Sequence, residues 1–138
     1  MPHRVYSEIN LHIIWRTKAS APLITRKIEK NVHSFIRNTA FKTPDVIFHA
    51  VGGIEDHIHL AVSVPSNLEI ATWIGKLKGG CSYHLNKHAP NKALKWQRGY
   101  GVVSFGTKDL RWIIKYVTDQ RKRHQSKRAF ERLESIGC

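Results

Sequence analysis

The chain has 138 residues, 41% of them hydrophobic, with 23 Lys plus Arg against 10 Asp plus Glu for a formal charge of +13. That length fits one domain over residues 1–138, able to bury roughly two-thirds of its unfolded surface without a disulfide or structural metal. The two cysteines, Cys81 and Cys138, form neither a disulfide framework nor a ligand spacing. Met1-Pro2-His3-Arg4 runs straight into a strand pattern without the apolar core of a signal peptide, and no apolar run approaches the roughly 18 residues of a membrane span. A reducing, cytoplasmic setting is expected. The positive excess draws such a chain to polyanions, because lysines and arginines release counterions from a phosphate backbone.

Ser7 to Thr17 reads as a strand, with Ile9, Leu11, Ile13 and Trp15 alternating against Asn10, His12 and Arg16. Pro22 suits a first helical turn, and Ile28, Val32, Phe35 and Ile36 form the stripe of the helix behind it. Val46 to Val51 is a second strand, Gly52-Gly53 a turn, and His57 to Val64 a third strand that Pro65 ends. Ser66-Asn67-Leu68-Glu69 reads as a capping box for a helix to about Lys87, weakened at Gly79-Gly80. Pro90 to Trp96 is loop, and Gly99 to Phe105 a fourth strand. Thr107 is placed to cap a last long helix, with Leu110, Ile113, Ile114 and Val117 as its core stripe. From Ser126 onward the tail either extends or breaks that helix. The order β-α-β-β-α-β with an added C-terminal helix describes an α+β fold with a ferredoxin-like antiparallel sheet.

Two constellations carry chemistry. In Asp56-His57-Ile58-His59-Leu60 the histidines share one strand face, side by side, while Ile58, Leu60, Val62 and Val64 point to the other. Two imidazoles so placed can hold one ion; two polar residues on a half-exposed strand would look the same. In Tyr116-Val117-Thr118-Asp119-Gln120 the tyrosine and glutamine lie one helical turn apart, about 6 Å along the axis, beside the core stripe rather than in it. A glutamine oxygen can be a third ligand, and a tyrosine one turn away can attack a phosphorus held there. Alone, the pair reads far more readily as one packing and one solvated residue. Asp56 is placed either to orient a ligand or to make a turn, and His12 and His49 lie on neighbouring strands.

Residues 107–132 hold nine Lys plus Arg and three acids, and this basic stretch surrounds Tyr116. Lys115, Arg121, Lys122 and Arg123 on this helix, with Lys76 and Lys78 on the preceding one, are the expected DNA-binding side chains. Trp73, Trp96 and Trp112 are candidates for stacking unpaired bases as well as for core.

His57-Ile58-His59, Tyr116 with Gln120, and the segment Trp96-Gln97-Arg98-Gly99-Tyr100 in a small basic domain resemble the single-tyrosine His-hydrophobe-His transposases of small bacterial insertion sequences. Their relatives associated with repetitive extragenic palindromes are similar too. The resemblance runs from Trp15-Arg16-Thr17 to the Tyr116 helix. It implies that His57, His59 and Gln120 hold Mg²⁺ or Mn²⁺, and that Tyr116 is the catalytic nucleophile, cutting and rejoining single-stranded or hairpin DNA through a 5′-phosphotyrosine. It also implies a homodimer with composite active sites. Three readings compete: an inactive, repressor-like DNA-binding protein, an RNA- or ribosome-associated basic protein, and a metal nuclease that uses water instead of Tyr116.

Overall fold

The computed structural model describes residues 5–87, 94–125 and 129–137. The expected loop from Pro90, the tail's start at Ser126, Cys138 and the first four residues lie wholly or partly outside these. Strands β1 (Ile9–Arg16), β2 (Ile47–Ile54), β3 (His57–Val64) and β4 (Gly101–Phe105) alternate with helices α1 (Arg26–Lys42) and α2 (Ile70–Asn86). The chain ends in α3 (Leu110–Thr118), α4 (Gln120–Gln125) and the single turn α5 (Glu131–Glu134). The strands form one antiparallel sheet in the order β2-β3-β1-β4. This is the ferredoxin-like α+β arrangement the element order leads one to expect.

Register sorts the side chains into two faces. Leu11 pairs with Val62, Ile13 with Leu60 and Trp15 with Ile58. These residues meet Val32 and Ile36 of α1 and Ile74, Leu77 and Cys81 of α2 in the main core. The alternate positions pair His12 with Ala61 and Ile14 with His59, and β2 sets Ala50 opposite Ala61 and Gly52 opposite His59. This second face is covered by Ile113, Tyr116 and Val117 of α3 and by Leu133 of α5. Both faces of β3 are therefore closed: a helical layer on one side drives ordinary apolar burial, and a smaller layer on the other seals the histidines.

Several local expectations are corrected. Gly52 and Gly53 do not make the turn; both lie inside β2, and Glu55-Asp56 connects it to β3. Gly53 takes φ +145°, a region other residues avoid. At Gly52 a Cβ would stand 1.9 Å from the Val117 carbonyl oxygen, so glycine is what lets the α3 backbone lie directly on the strand. Ser66 caps nothing, because Pro65–Leu68 forms a tight turn (Leu68 N–H to Pro65 O, 3.2 Å) and the helix starts beyond it, after Glu69. Pro22 likewise precedes rather than opens α1, which begins after Thr25. The Thr107 hydroxyl is taken up by Glu8 and by Asn10 (2.9 Å) instead of capping α3. The last helix is not continuous either. It breaks at Asp119 (φ −97°, ψ 18°), although its axis carries on through Asp119 N–H to Lys115 O and Arg123 N–H to Asp119 O.

Gly52→Ala should cost about 2–3 kcal/mol, the range for overpacking a site with no room to yield. Urea unfolding checks it; a variant as stable as the parent would show that α3 does not seat on β2 as described.

Candidate functional site

His57 and His59 project from β3 toward α3 and are almost wholly buried, at 1% and 0% exposure. Each has one ring nitrogen tied down. Nδ1 of His57 lies 2.7 Å from Asp56 Oδ1, and Nδ1 of His59 lies 2.7 Å from His12 Nε2. With its Nδ1–H donating to the Asp56 carboxylate, His57 turns its Nε2 lone pair toward the space under α3, and His59 Nε2 points into the same space. A partner on one ring nitrogen that fixes tautomer and orientation is the usual support of a metal-binding imidazole.

Tyr116 reaches the same space from α3. Its ring lies 5.8 Å from that of His59, stacks on Trp112 at 5.5 Å, and carries the Arg123 guanidinium 4.9 Å above it. Its hydroxyl donates to Glu134 and accepts the Phe130 N–H at 2.7 Å. Tyr116 is fully buried, where the sequence pattern set it at the rim of the core. Gln120, 1% exposed, donates from Nε2 to the Tyr116 carbonyl (2.8 Å). That bond turns its Oε1 toward His57 Nε2 (3.2 Å) and His124 Nε2 (3.0 Å). The strand histidines and the helix pair thus converge, as the two motifs together imply.

Two neighbours were not foreseen. His124 stands one turn beyond Gln120, its ring 4.8 Å from that of His57. Glu134 comes from α5, with Oε2 3.2 Å from His59 Nε2 and Oε1 3.7 Å from His57 Nε2. Ligand atoms of His57, His59, His124 and Glu134 lie within 4.8 Å of one another, a grouping that can hold a metal ion. Among the described residues, His59 Nε2 and Glu134 Oε1 are buried with no hydrogen bond. The Tyr-Gln-His spacing of 116, 120 and 124 was a legible signal for His124. Nothing in the local sequence marks Glu134.

The electrostatics favour lone pairs over protons. Burial, aided by His59, pushes His12 down to about 3, and burial lowers His59 to about 4 against the pull of Glu134. Burial raises Glu134, but the hydrogen bonds and charge from His59 and the Tyr116 hydroxyl outweigh it and hold the carboxyl at about 2. Burial and the Glu134 contact raise the Tyr116 phenol to about 12. The site therefore joins imidazole nitrogens to the Glu134 carboxylate and the Gln120 carbonyl oxygen, a donor set that fits a divalent transition ion.

The basic residues separate. Lys76, Lys115 and Lys122 are exposed. Arg123 lies over the Trp112 and Tyr116 rings. Arg121 pairs with Glu55 and Glu29, tying α4 to α1 and the β2–β3 turn. Lys78 Nζ donates to Gln97 O (2.9 Å) and Gly99 O (3.0 Å), pinning the Trp96–Tyr100 segment to α2. Trp73 and Trp96 bond within the fold, to Thr43 and to Lys78 O, and only Trp112 of the three is exposed, at 42%. His12 joins the site, whereas His49 bonds Ser63 further along the sheet.

The family model for IS200-like transposases matches residues 5–120, and the chain belongs to that family. No curated protein matches it. A candidate transposase from Deinococcus radiodurans R1 is similar in structure, with TM-score 0.69 and 15% identity over 93% of this chain and 96% of the other. A REP-associated tyrosine transposase bound to a REP hairpin is similar at TM-score 0.62 and 14% identity, over 94% of this chain and 75% of that one. Among the described residues no helix is long and apolar enough to cross a membrane.

The histidine pKa values carry a stability consequence. The folded values of His12 and His59 lie below the 6.5 of a free imidazole, and burial lowers His33 and His49 in the same direction. Below pH 6.5 the unfolded chain binds protons that the fold refuses, so stability present above pH 6.5 is lost as pH falls toward about 4. Tm of the metal-free protein should be level near neutrality and drop through that window. His12→Gln, which still offers His59 an acceptor, should make the drop shallower. A level Tm down to pH 4 in both proteins would contradict a buried neutral pair.

Proposed function

We propose that this protein is a DNA strand transferase in which Tyr116 attacks a phosphodiester of single-stranded or hairpin DNA. The observation that carries the reading is the meeting of Tyr116 with His57, His59 and Gln120 in one buried cluster, in a chain of the IS200-like transposase family. The phenol oxygen would attack phosphorus, breaking the bond to the 3′-oxygen. The products are a 5′-phosphotyrosine and a free 3′-hydroxyl. A second 3′-hydroxyl reverses the step on another strand, and the energy of the broken bond is conserved in the covalent link.

His57, His59 and Gln120 would hold a divalent cation, Mn²⁺ or Mg²⁺, which when bound supplies positive charge to polarise and orient the phosphate. The chain's own groups do the remaining work. Gln120 couples the Tyr116 backbone to the cluster, so nucleophile and ligands stay in register. Arg123 above the Tyr116 ring favours the phenolate as the proton leaves. Lys76, Lys115 and Lys122 supply phosphate contacts that position the strand without reading its sequence. The Trp112 ring beside the nucleophile suits an unpaired base, which fits single-stranded over paired substrate.

Incubation with single-stranded DNA from the ends of its own element, followed by denaturing electrophoresis, should reveal a covalent protein–DNA species. Tyr116→Phe should abolish it while leaving DNA binding within about twofold, because only the nucleophilic oxygen is removed. EDTA should abolish it as well, and Mn²⁺ or Mg²⁺ should restore it. An adduct that survives in the Phe variant would mean another nucleophile.

A homodimer with composite sites belongs to the same proposal. Helix α3 follows β4 through only Gly106 and the turn Thr107–Asp109 and covers the histidine face of its own chain; in the composite arrangement the α3 of a second copy would take that place. A mixture of Tyr116→Phe and His57→Ala proteins should then regain one working site per heterodimer. An inactive, verified heterodimer would assign the tyrosine to its own subunit's histidines.

A further inference from the structure

The family resemblance accounts for three ligands, His57, His59 and Gln120, but five acceptor atoms converge on the same space. We infer that His124 and Glu134 are ligands as well. The ion is held by three imidazoles, His57, His59 and His124, with oxygens of Gln120 and Glu134 completing its shell. Glu134 is the ligand that a phosphate oxygen replaces. This assignment rests on the reading of the site as a metal-assisted one.

The spacing supports it. His124 Nε2 is 3.0 Å from Gln120 Oε1 and 3.6 Å from Glu134 Oε1. His57 Nε2 is 3.2 Å from Gln120 Oε1 and 3.7 Å from Glu134 Oε1, and His59 Nε2 is 3.2 Å from Glu134 Oε2. Atoms bound about 2.0–2.2 Å from a common ion stand roughly 3.0–3.6 Å apart when they are neighbours in its shell. Hydrogen bonding alone leaves the group unsatisfied. Two ring nitrogens approach the single Gln120 Oε1, while His59 Nε2 and Glu134 Oε1 are buried without a partner. Because His57 spends its Nδ1–H on the Asp56 carboxylate, its Nε2 lone pair faces the Gln120 oxygen, acceptor against acceptor. A cation resolves that arrangement.

Chain geometry gives His124 and Glu134 different parts. His124 shares a helix line with Gln120 and Tyr116, so it is fixed relative to both. Glu134 comes from a single turn of helix and also accepts the hydrogen bond of the Tyr116 hydroxyl. A carboxylate that touches both the nucleophilic oxygen and the imidazole nitrogens stands where the scissile phosphate has to come. Exchange of one anionic oxygen for another preserves the charge around the ion.

The test is Mn²⁺ binding to the full chain without DNA. Titration followed by the free-ion EPR signal gives affinity, and pulsed EPR counts imidazole nitrogens on the bound ion. The wild type should show three. His124→Ala should leave two and weaken binding at least about tenfold. Glu134→Gln should weaken binding while all three nitrogens remain. Wild-type affinity and unchanged couplings in His124→Ala would overturn the assignment. Should that variant not fold, two imidazole couplings in the wild type overturn it alone. Cleavage enters neither measurement. Three couplings in a protein that forms no DNA adduct would leave the metal site standing and remove the transferase reading, and two couplings in an adduct-forming protein would do the reverse.

Discussion

Everything at the site depends on how closely one helix lies on one strand. Helix α3 can bring Tyr116 over the histidines only because β2 presents no side chain at Gly52, where the Val117 carbonyl takes the place of a Cβ. Opposite it in the sheet stands His59, and the next cross-strand pair on that face is Ala50 with Ala61. A strip of small residues beside two large imidazoles makes a floor of uneven height. The helix backbone fits the low part, and its tyrosine and glutamine side chains fill the space above the high part. The opposite face needs no such device, because Leu11, Ile13, Trp15, Ile58, Leu60 and Val62 bury in the ordinary way against α1 and α2.

That close seating explains why a strongly basic protein has a site made of acceptors. The excess positive charge sits on exposed side chains such as Lys76, Lys115 and Lys122, while the cluster beneath α3 combines neutral imidazoles, the Gln120 oxygen and the Glu134 carboxylate. The two charge distributions do different jobs. Diffuse surface cations attract a polyanion from a distance and without regard to sequence. A buried acceptor cluster can hold one cation at one place. Arg121 belongs to neither set; its pairs with Glu29 and Glu55 hold α4 to the body of the fold, and with it Gln120 and His124.

The fold was legible because its strands alternate cleanly and its elements come in an order with few solutions. His57 to Val64 was bounded correctly by its own pattern and by Pro65. Errors collected where tertiary contact overrides local preference. Gly52-Gly53 reads as a turn because glycine pairs usually mark turns, yet here the missing side chain serves a helix that arrives 65 residues later in the chain, at Val117. Ser66 and Glu69 have capping-box spacing, but the turn at Pro65–Leu68 displaces the helix start. At the site, the strand pair and the Tyr116–Gln120 pair were readable from periodicity. His124 continues the same four-residue spacing and was readable in principle. Glu134 was not, since its partnership with Tyr116 comes from a short segment whose own sequence carries neither periodicity nor motif.

The closed arrangement also sets what must happen before any chemistry. Burial and the Glu134 contact push the phenol up to about 12, so Tyr116 is protonated at pH 7, and the side chain has no exposed surface. The same carboxylate that raises this value, Glu134, lies against the His59 ring nitrogen. In the proposed reaction, a phosphate entering the cluster would relieve two constraints at once: it would take over the place of Glu134 and free the phenol from its hydrogen-bonded anion. The Arg123 guanidinium lies over the ring, and a positive charge there favours the phenolate. In that proposal, activation of the nucleophile and admission of the substrate would be one event, driven by the difference in affinity of the cluster for two anions. The 129–137 segment that carries Glu134 is held by Phe130 N–H on the Tyr116 hydroxyl, Glu134 on Tyr116 and His59, Phe130 against Trp112, Arg132 on Ser104 O, Gly137 N–H on Tyr100 O, and Leu133 in the smaller core.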